Sequence, residues 1–356
     1  INSLTGIKVI SDFEGGNGML IYSNFEKNSV HIKSILKNND TLNINLYVKI
    51  SGFSIDKPLN IYVNSSFTPA VCAYSYDKIN WYRIRKNDKK IYTKKFLYNE
   101  IFFASNFPYL YSDLTNFIAK ISKNSFIESG ILSYSEAGRK VYYLRITDKN
   151  VSDEGKQLIW VTARQHAFEH NQNFIIEGFL NYLISEEQTV EKMLKKSIIY
   201  VVPMVDVDGC ATGATGKNRK PVDFNRCWNQ NPSYFKAVEA IKQLIEKTSK
   251  KNRFRIFWDS HCMGWNPKKK IYGFYFLNIY PPGSRNFKNL IRLNEYFKKY
   301  QGYDLYIDDF IGSGRDLRIG ISYIKKAYPK LDISFVTENY FDCMPDGQKW
   351  TIEHYR

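Results

Sequence analysis

Four apolar runs constrain this sequence more than any other feature: "QLIWVTA" from Gln157, "SIIYVVPMV" from Ser197, "FRIFWDSH" from Phe254 and "ISFVTEN" from Ile333. Each is short, rich in β-branched and aromatic residues, and nearly continuous, the pattern of a strand buried on both faces. Between them lie segments with apolar residues at helical spacing: "NFIIEGFLNYLI", "SYFKAVEAIKQLIEK" and "FKNLIRLNEYFKKY". Strands alternating with helices predict an α/β domain with a mostly parallel or mixed central sheet flanked by helices. In such a sheet the ligand site lies beyond the carboxyl ends of the strands. Polar residues stand at those ends: His166 after the first run, Asp206 after the second, His261 in the third and Glu338 in the fourth.

The rhythm before about residue 118 is different. Runs such as "VHIKSIL", "LNINLYVKI" and "LNIYVNSS" alternate apolar with polar residues and are separated by Asn, Asp, Gly and Pro. Short, closely spaced strands of this kind predict an antiparallel β-sandwich. The expected organisation is therefore residues 1–118 as an N-terminal β-sandwich and residues 119–356 as the α/β domain.

Composition excludes several classes. A hydrophobic content of 44% with 16% aromatics, over 356 residues, excludes a disordered chain and suits two cores. No uninterrupted run of eighteen apolar residues occurs, so no membrane span is expected. The net charge of +16 comes from Lys and Arg spread along the chain, without a recognised nucleic-acid module. Solvated faces are the simpler reading, and no nucleic-acid partner is expected. Five cysteines without paired CxxC spacing argue against a disulfide framework or a cysteine zinc site, though Cys210 and Cys227 flank one loop and could bridge. The opening residues lack the regions of a signal peptide, but the chain starts without Met, which leaves open a removed leader.

Catalytic zinc sites take three protein ligands from His and carboxylate and leave a position open. His166 and Glu169, three residues apart at a strand end, can reach one metal, and His261 at another strand end is the natural third ligand. Taken alone, His-x-x-Glu is a weak signal, and His166 could equally be a capping or satisfied core histidine. The placement at the strand edge is what raises it.

The motifs that follow make the signal specific. "TARQHAFEHNQNFIIEGFL" resembles the first zinc motif of the zinc metallocarboxypeptidases. "VPMVDVDGCATGATGKNRKPVDFNRCW" resembles their segment ending in Asp-x-Asn-Arg, "FWDSHCM" the strand of the second zinc histidine, and "SFVTENYF" the strand of the catalytic glutamate. Order and spacing match across roughly residues 130–345. "SDFEGGNG" and "FFASNFPYLYSDL" are further similar to the β-domain of the cytosolic carboxypeptidases, which include tubulin deglutamylases.

The resemblance implies one zinc per chain on His166, Glu169 and His261, with Asp223 behind a zinc histidine to fix its tautomer. It implies that Asn225 and Arg226 bind the substrate's terminal carboxylate, for which the planar Arg fork is suited. Glu338 is implied as the general base toward an attacking water. An arginine that stabilises the oxyanion belongs upstream of Asp-x-Asn-Arg. Its aligned position falls near Gly216, so Arg219 is assigned, with Lys217 as its rival. The tyrosine that many relatives place over the substrate falls near Phe310, and Tyr306 or another tyrosine could stand in. Arg315, in "IGSGRDL", matches a pocket arginine that would select a C-terminal Glu or Asp.

The expected function is thus zinc-dependent removal of C-terminal, acidic residues from peptides or protein tails. Two rivals stay open: a carboxypeptidase acting on cell-wall peptides, and an inactive protein that grips peptide ends. The compartment is cytoplasmic by resemblance, or periplasmic or secreted if a leader was removed. The sequence leaves the oligomeric state undetermined.

Overall fold

The structure, a computed structural model, describes residues 6–262, 274–301, 307–309, 315–339 and 351–356. The N-terminal part contains β1 (Lys8–Ile10), β2 (Met19–Asn24), β3 (Ser29–Lys33), β4 (Tyr47–Ser51), β5 (Leu59–Asn64), β6 (Val71–Ser75), β7 (Trp81–Arg85), β8 (Tyr92–Lys94) and β9 (Glu100–Ala104). They form a five-stranded sheet in the order β1-β4-β9-β6-β7 and a four-stranded sheet in the order β2-β3-β5-β8. Alternate residues such as Val30, Ile32, Val48, Ile50, Ile61, Ile101 and Phe103 make one buried cluster shared by the two sheets, as the two-residue strand period requires. The sheets are antiparallel except at one place. β3 and β5 run parallel, Ser29 facing Asn60, because the chain from Lys33 to Leu59 passes through β4 of the other sheet before it returns. Alternation patterns carry no information about strand direction, so the sequence could not anticipate this pair.

The chain continues through α1 (Tyr111–Ile121), β10 (Ile127–Tyr134), β11 (Lys140–Ile146), β12 (Gln157–Ala163), α2 (Asn171–Leu183), α3 (Gln188–Leu194), β13 (Ser197–Val202), α4 (Val207–Thr212) and α5 (Lys236–Ser249). It ends with β14 (Arg253–Cys262), β15 (Phe274–Asn278), α6 (Arg285–Gln301), β16 (Ile307–Asp309), α7 (Gly320–Ala327), β17 (Ile333–Asn339) and α8 (Ile352–Tyr355). The boundary expected at residue 118 falls inside α1, whose Leu114, Ile118 and Ile121 are buried in the larger core.

Eight strands make one mixed sheet in the order β10-β11-β13-β12-β14-β17-β15-β16. The central pairs β13/β12, β12/β14 and β14/β17 are parallel, and all six residues of β13 are buried. Helices α2, α5, α6 and α7 pack on these strands, which explains why the four central strands read as continuous apolar runs. In register, Ala163 faces Ser260 and His261 faces Glu338. The carboxyl ends of β12, β14 and β17 therefore open onto one edge. Among the described residues no helix is long and apolar enough to cross a membrane.

Candidate active site

At that edge β12 gives way to Arg164, Gln165 and His166. Arg164 takes a left-handed backbone (φ 57°), rare for a residue with a Cβ, and its guanidinium is wholly buried. It donates to the Ala167 carbonyl (2.6 Å) and the Asn173 side chain (2.8 Å). These bonds hold the turn that presents His166 and Glu169 ahead of α2.

His166, Glu169 and His261 are all buried, and each offers a ligand atom within 4.8 Å of the others. The Nδ1 atoms of both histidines converge on one carboxylate. His166 Nδ1 lies 2.8 Å from Glu169 Oε1, and His261 Nδ1 lies 3.1 Å from Glu169 Oε2. Both Nε2 atoms face away toward other carboxylates: His261 Nε2 is 2.9 Å from Asp259 Oδ2. His166 Nε2 is 3.7 Å from Asp223 Oδ1, an electrostatic contact too long for a hydrogen bond. Two imidazoles that turn one nitrogen inward and rest the other on an acid are arranged as metal ligands usually are. The N, N, O donor set suits zinc. The buried charge balance agrees. Burial disfavours protonation of His166, but Glu169 and Asp223 outweigh it and raise its pKa. Burial likewise opposes charge on His261, yet Asp259 and Glu169 carry its pKa well above the ordinary value. Glu169 moves the other way: burial would raise it, and the two imidazoles hold it well below the carboxylate range. The carboxylates around the two imidazoles thus favour positive charge at this centre.

Behind the three ligands lies a second set of bonds that the sequence reading missed. Asp259 also accepts from Thr162 Oγ1 (2.8 Å) and Gln165 Nε2 (2.6 Å), and Gln165 in turn accepts from the Trp228 indole (2.9 Å). A usable signal existed. Asp259 and His261 are two apart on one strand, so their side chains share a face. Gln172 donates to the His261 carbonyl, fixing that strand end from α2.

Glu338 is buried beside this centre, and its Oε2 has no hydrogen-bond partner among the described residues. Burial pushes its carboxyl up to about 7; His261, Lys217 and His166 pull it down, while Glu169 pushes it further up. Asp223 accepts from the backbone N–H of Asn225 (2.9 Å) and Asn218 (3.1 Å). Burial raises its carboxyl, but His166 and Arg226 bring it down to about 2.

The remaining predicted residues have different environments. Asn225 is engaged at both ends: its Nδ2 lies 3.2 Å from His261 Nε2, and its Oδ1 accepts from the Gly320 N–H (2.9 Å). Arg226 is half-buried and donates to the Asn225 carbonyl (2.7 Å). Arg315 is exposed on the approach to α7. Arg219 is buried, with Nη2 2.8 Å from Asp206 Oδ2 and Nε 3.5 Å from Asp40 Oδ1. Lys217 is half-buried. Asp206 does not join the ligands; it pairs with Arg219 and caps α4 through the Gly209 N–H (2.8 Å). Cys210 and Cys227 are both free and buried. The calls on Tyr306 and Phe310 lie outside the described residues.

The N-terminal sheets contribute directly. Asp40 accepts from the N–H groups of Thr215 (2.6 Å) and Gly216 (3.0 Å). Asn17 and Asn45 donate to the Gly213 carbonyl (2.7 and 3.1 Å), and Thr41 donates to the Asn218 carbonyl (2.7 Å). The segment from Gly213 to Arg219, next to the ligands, is thus held by residues some 170 positions earlier in the chain.

Comparison with known proteins agrees with this geometry. Residues 114–272 match the zinc carboxypeptidase family. Cytosolic carboxypeptidase 3 of Mus musculus is 28% identical over 177 residues, which are 48% of this chain and 17% of that protein. Cytosolic carboxypeptidase 6 of Caenorhabditis elegans is 25% identical over 206 residues, 55% of this chain and 45% of that protein. The chain therefore spans less than half the length of these curated relatives. Two solved structures share the fold over nearly the whole chain. A metallo-carboxypeptidase from Burkholderia cenocepacia aligns with a TM-score of 0.84 at 16% identity, covering 98% of this chain and 95% of that one. A metallo-carboxypeptidase from Pseudomonas aeruginosa, in complex with (2-guanidinoethylmercapto)succinic acid, aligns at 0.79 and 20% identity with 98% and 95% coverage.

Proposed function

We propose, from the match of residues 114–272 to the zinc carboxypeptidase family, that this chain is a zinc metallocarboxypeptidase that hydrolyses the last peptide bond of peptides or protein tails. The observation that carries this reading is the convergence of both imidazole Nδ1 atoms on Glu169 beside Glu338, whose Oε2 has no hydrogen-bond partner among the described residues. When bound, zinc supplies Lewis acidity that brings a water's pKa toward ~7 and polarises a carbonyl. Asp223 and Asp259 keep the two imidazoles turned with Nδ1 inward. Glu338 Oε2 takes the proton from the attacking water as its oxygen bonds to the carbonyl carbon. It returns that proton to the amine nitrogen as the C–N bond breaks. A carboxyl pushed up to about 7 is matched to both halves of this shuttle at neutral pH. The Arg226 fork, with Asn225, takes the free α-carboxylate and so limits the reaction to chain ends.

For the C-terminal side chain we propose an acidic one, recognised by the exposed guanidinium of Arg315. A protein that only grips peptide ends has no use for a buried carboxylate whose Oε2 is left without a partner among the described residues, which favours an enzyme. The test is direct: zinc-loaded protein is incubated with peptides identical except for a final Glu, Asp, Leu, Phe or Lys, and products are read by mass spectrometry. Loss of single C-terminal residues, fastest for Glu and Asp, is expected. Internal cleavage, or no cleavage by protein carrying one zinc per chain, would overturn the reading.

A further inference from the structure

At the opposite end of the sheet from the buried centre, α6, the start of β14 and the segment leading into β17 enclose a basin of ≈ 460 Å³ lined by Arg255, Arg285, Lys288, Asn289, Arg292 and Asp332. Arg253 opens β14 eight positions before His261, so about 26 Å of strand separates the two places. Asp332 is buried and forms the floor. Its Oδ1 pairs with Arg285 Nη2 and lies 3.6 Å from Arg253 Nη2, and its Oδ2 pairs with Arg255 Nε. The walls are stitched together as well. Asn286 Nδ2 donates to the carbonyls of Leu331 (2.9 Å) and Asp332 (2.7 Å), and Asn289 Nδ2 donates to that of Asp332 (3.0 Å). The basin is charged and its shape is fixed.

Arg253, Arg255, Arg285, Lys288 and Arg292 thus surround a single carboxylate, which engages only the three nearest of them. Among the described residues the charged ends of Lys288 and Arg292 have no ion pair or hydrogen bond, and both side chains are exposed. The one acid of α6, Glu295, lies a turn beyond Arg292. Cations gathered without a counter-charge attract an anion of matching shape. A compact phosphate would seat on the floor, where it meets Asp332 with its arginines already taken. Proteins that take single-stranded nucleic acid stack its bases on aromatic side chains, and this lining has none. An extended peptide suits the rim instead. Carboxylates on alternate residues of such a chain lie about 6.5–7 Å apart. Lys288 and Arg292, four positions apart on α6, are separated by about 6 Å of helix rise, and Arg253 and Arg255 are themselves alternate residues of a strand.

We propose that this basin is a docking site for an acidic segment of a partner protein, an extended stretch with Glu or Asp at alternate positions. Lys288 and Arg292 are its main contacts, with the outer edges of Arg253 and Arg285, whose side chains are 56% and 64% exposed. Asp332 keeps the inner faces of the arginines and holds the scaffold in place. The site is remote from His166, Glu169 and His261, so it does not rest on the peptidase reading. It gives part of the net charge of +16 a defined place.

The probe is fluorescent acetyl-Glu-Ser-Glu-Ser-Glu-Ser-Glu-amide, whose amide removes the free chain end proposed for Asn225 and Arg226, and binding to the full chain is read by anisotropy. Binding is expected to weaken at least tenfold from about 50 mM to about 0.5 M salt, and the same peptide with Gln for Glu is expected not to bind. Lys288→Glu with Arg292→Glu is expected to weaken the acidic peptide by at least about tenfold. The urea midpoint of that variant should match the parent, because both side chains are exposed and unpaired. Lys89→Glu with Lys95→Glu makes the same charge change at exposed positions of the N-terminal part, and is expected to leave affinity within about twofold. Equal loss in the two double variants would reduce the binding to overall charge and overturn the site, as would an acidic peptide that does not bind at low salt. Tripolyphosphate or a single-stranded oligonucleotide that binds more tightly than the peptide, and loses that binding in the Lys288/Arg292 variant, would overturn the occupant. No cleavage is read in this experiment, so its failure leaves the peptidase reading standing.

Discussion

His261 and Glu338 stand opposite each other in the parallel register of β14 and β17. Paired residues on neighbouring strands project to the same side, about 4.8 Å apart across the ladder. One hydrogen-bonded ladder therefore sets the separation between the candidate zinc ligand His261 and Glu338, the proposed base. Glu338→Gln keeps the shape of the side chain and removes only its ability to carry a proton. It is expected to lower kcat by at least ~10²–10⁴, with zinc content and peptide affinity nearly unchanged. Activity within tenfold of the parent, measured at equal zinc loading, would take Glu338 out of the mechanism.

The ligands themselves are tested through metal content. His261→Ala removes one of three donors and is expected to bring zinc well below one per chain in atomic absorption. The acid behind it is the finer probe. Asp259→Asn can no longer accept the His261 Nε2 proton (2.9 Å) as a charge, and loss of such a partner costs roughly 10–100-fold in metal affinity. Zinc affinity unchanged in Asp259→Asn would show that the imidazole is oriented by something else, with Asn225 the neighbour to try next.

Zinc binding should depend on pH with a definite sign. Without metal, Glu169 with Asp223 raises the pKa of His166, and Asp259 with Glu169 raises that of His261, against burial in both cases. Both rings therefore hold protons to higher pH than an ordinary histidine, and zinc must displace them. Apparent affinity is expected to fall as pH drops, about tenfold per pH unit for each proton released. Stability of the chelated chain runs the other way. The histidine pairs contribute fully below ~6.5, the unfolded histidine value, and lose that contribution as pH rises through the raised folded values. Calorimetry in buffers of different ionisation enthalpy counts the protons; affinity that stays flat from pH 5.5 to 8 would contradict the charge balance.

The Arg219 cluster makes a prediction about stability alone. Arg219→Met leaves Asp206 and Asp40, 0% and 5% exposed, without their cation. Breaking one side of a buried ion pair costs about 3–5 kcal/mol, so the midpoint of urea denaturation should drop clearly. Replacing Asp40 by Asn in the same variant removes one of the stranded charges and should recover part of the loss. A variant as stable as the parent would mean that the carboxylates find other partners.

What the sequence could and could not reveal follows from the range of the interactions. His166 with Glu169, and the strand-end positions of His261 and Glu338, are local: periodicity and spacing of three residues carry them. The partners of Arg219 are not local. Asp40 lies in a loop of the N-terminal sheets, 179 residues away, and nothing near either residue signals the pairing. The same holds for Asn45, which meets His170 Nε2 at 3.1 Å across 125 residues. Arg164 was invisible for a different reason. A left-handed backbone at a bulky residue is held by the burial of its guanidinium, which only the folded turn displays. Asp259 could have been found, since its two-residue spacing from His261 on a strand places both on one face.

Specificity is the last prediction, and it separates two arginines that a sequence motif alone treats alike. Arg315 is exposed, whereas Arg226 is half-buried beside Asn225 and its charge bears on Asp223. If Arg315 meets the terminal side chain, peptides ending in Glu or Asp should be cleaved faster than those ending in Leu, Phe or Lys. A hydrogen bond to a charged group is worth about 1.5–3 kcal/mol, which is a preference of roughly ten- to a hundredfold. Partial solvent exposure at Arg315 places the expected preference at the lower end. Arg315→Ala should erase most of it and leave neutral chain ends little affected. Arg226→Ala should behave differently, raising KM for every peptide, because every chain end carries the α-carboxylate. Rates are to be measured on the same peptide series for both variants. If the parent favours aromatic or basic ends, or if Arg315→Ala slows all peptides alike, the acidic preference is wrong. The zinc centre and Glu338 are untouched by that outcome, since neither depends on which side chain the substrate ends with.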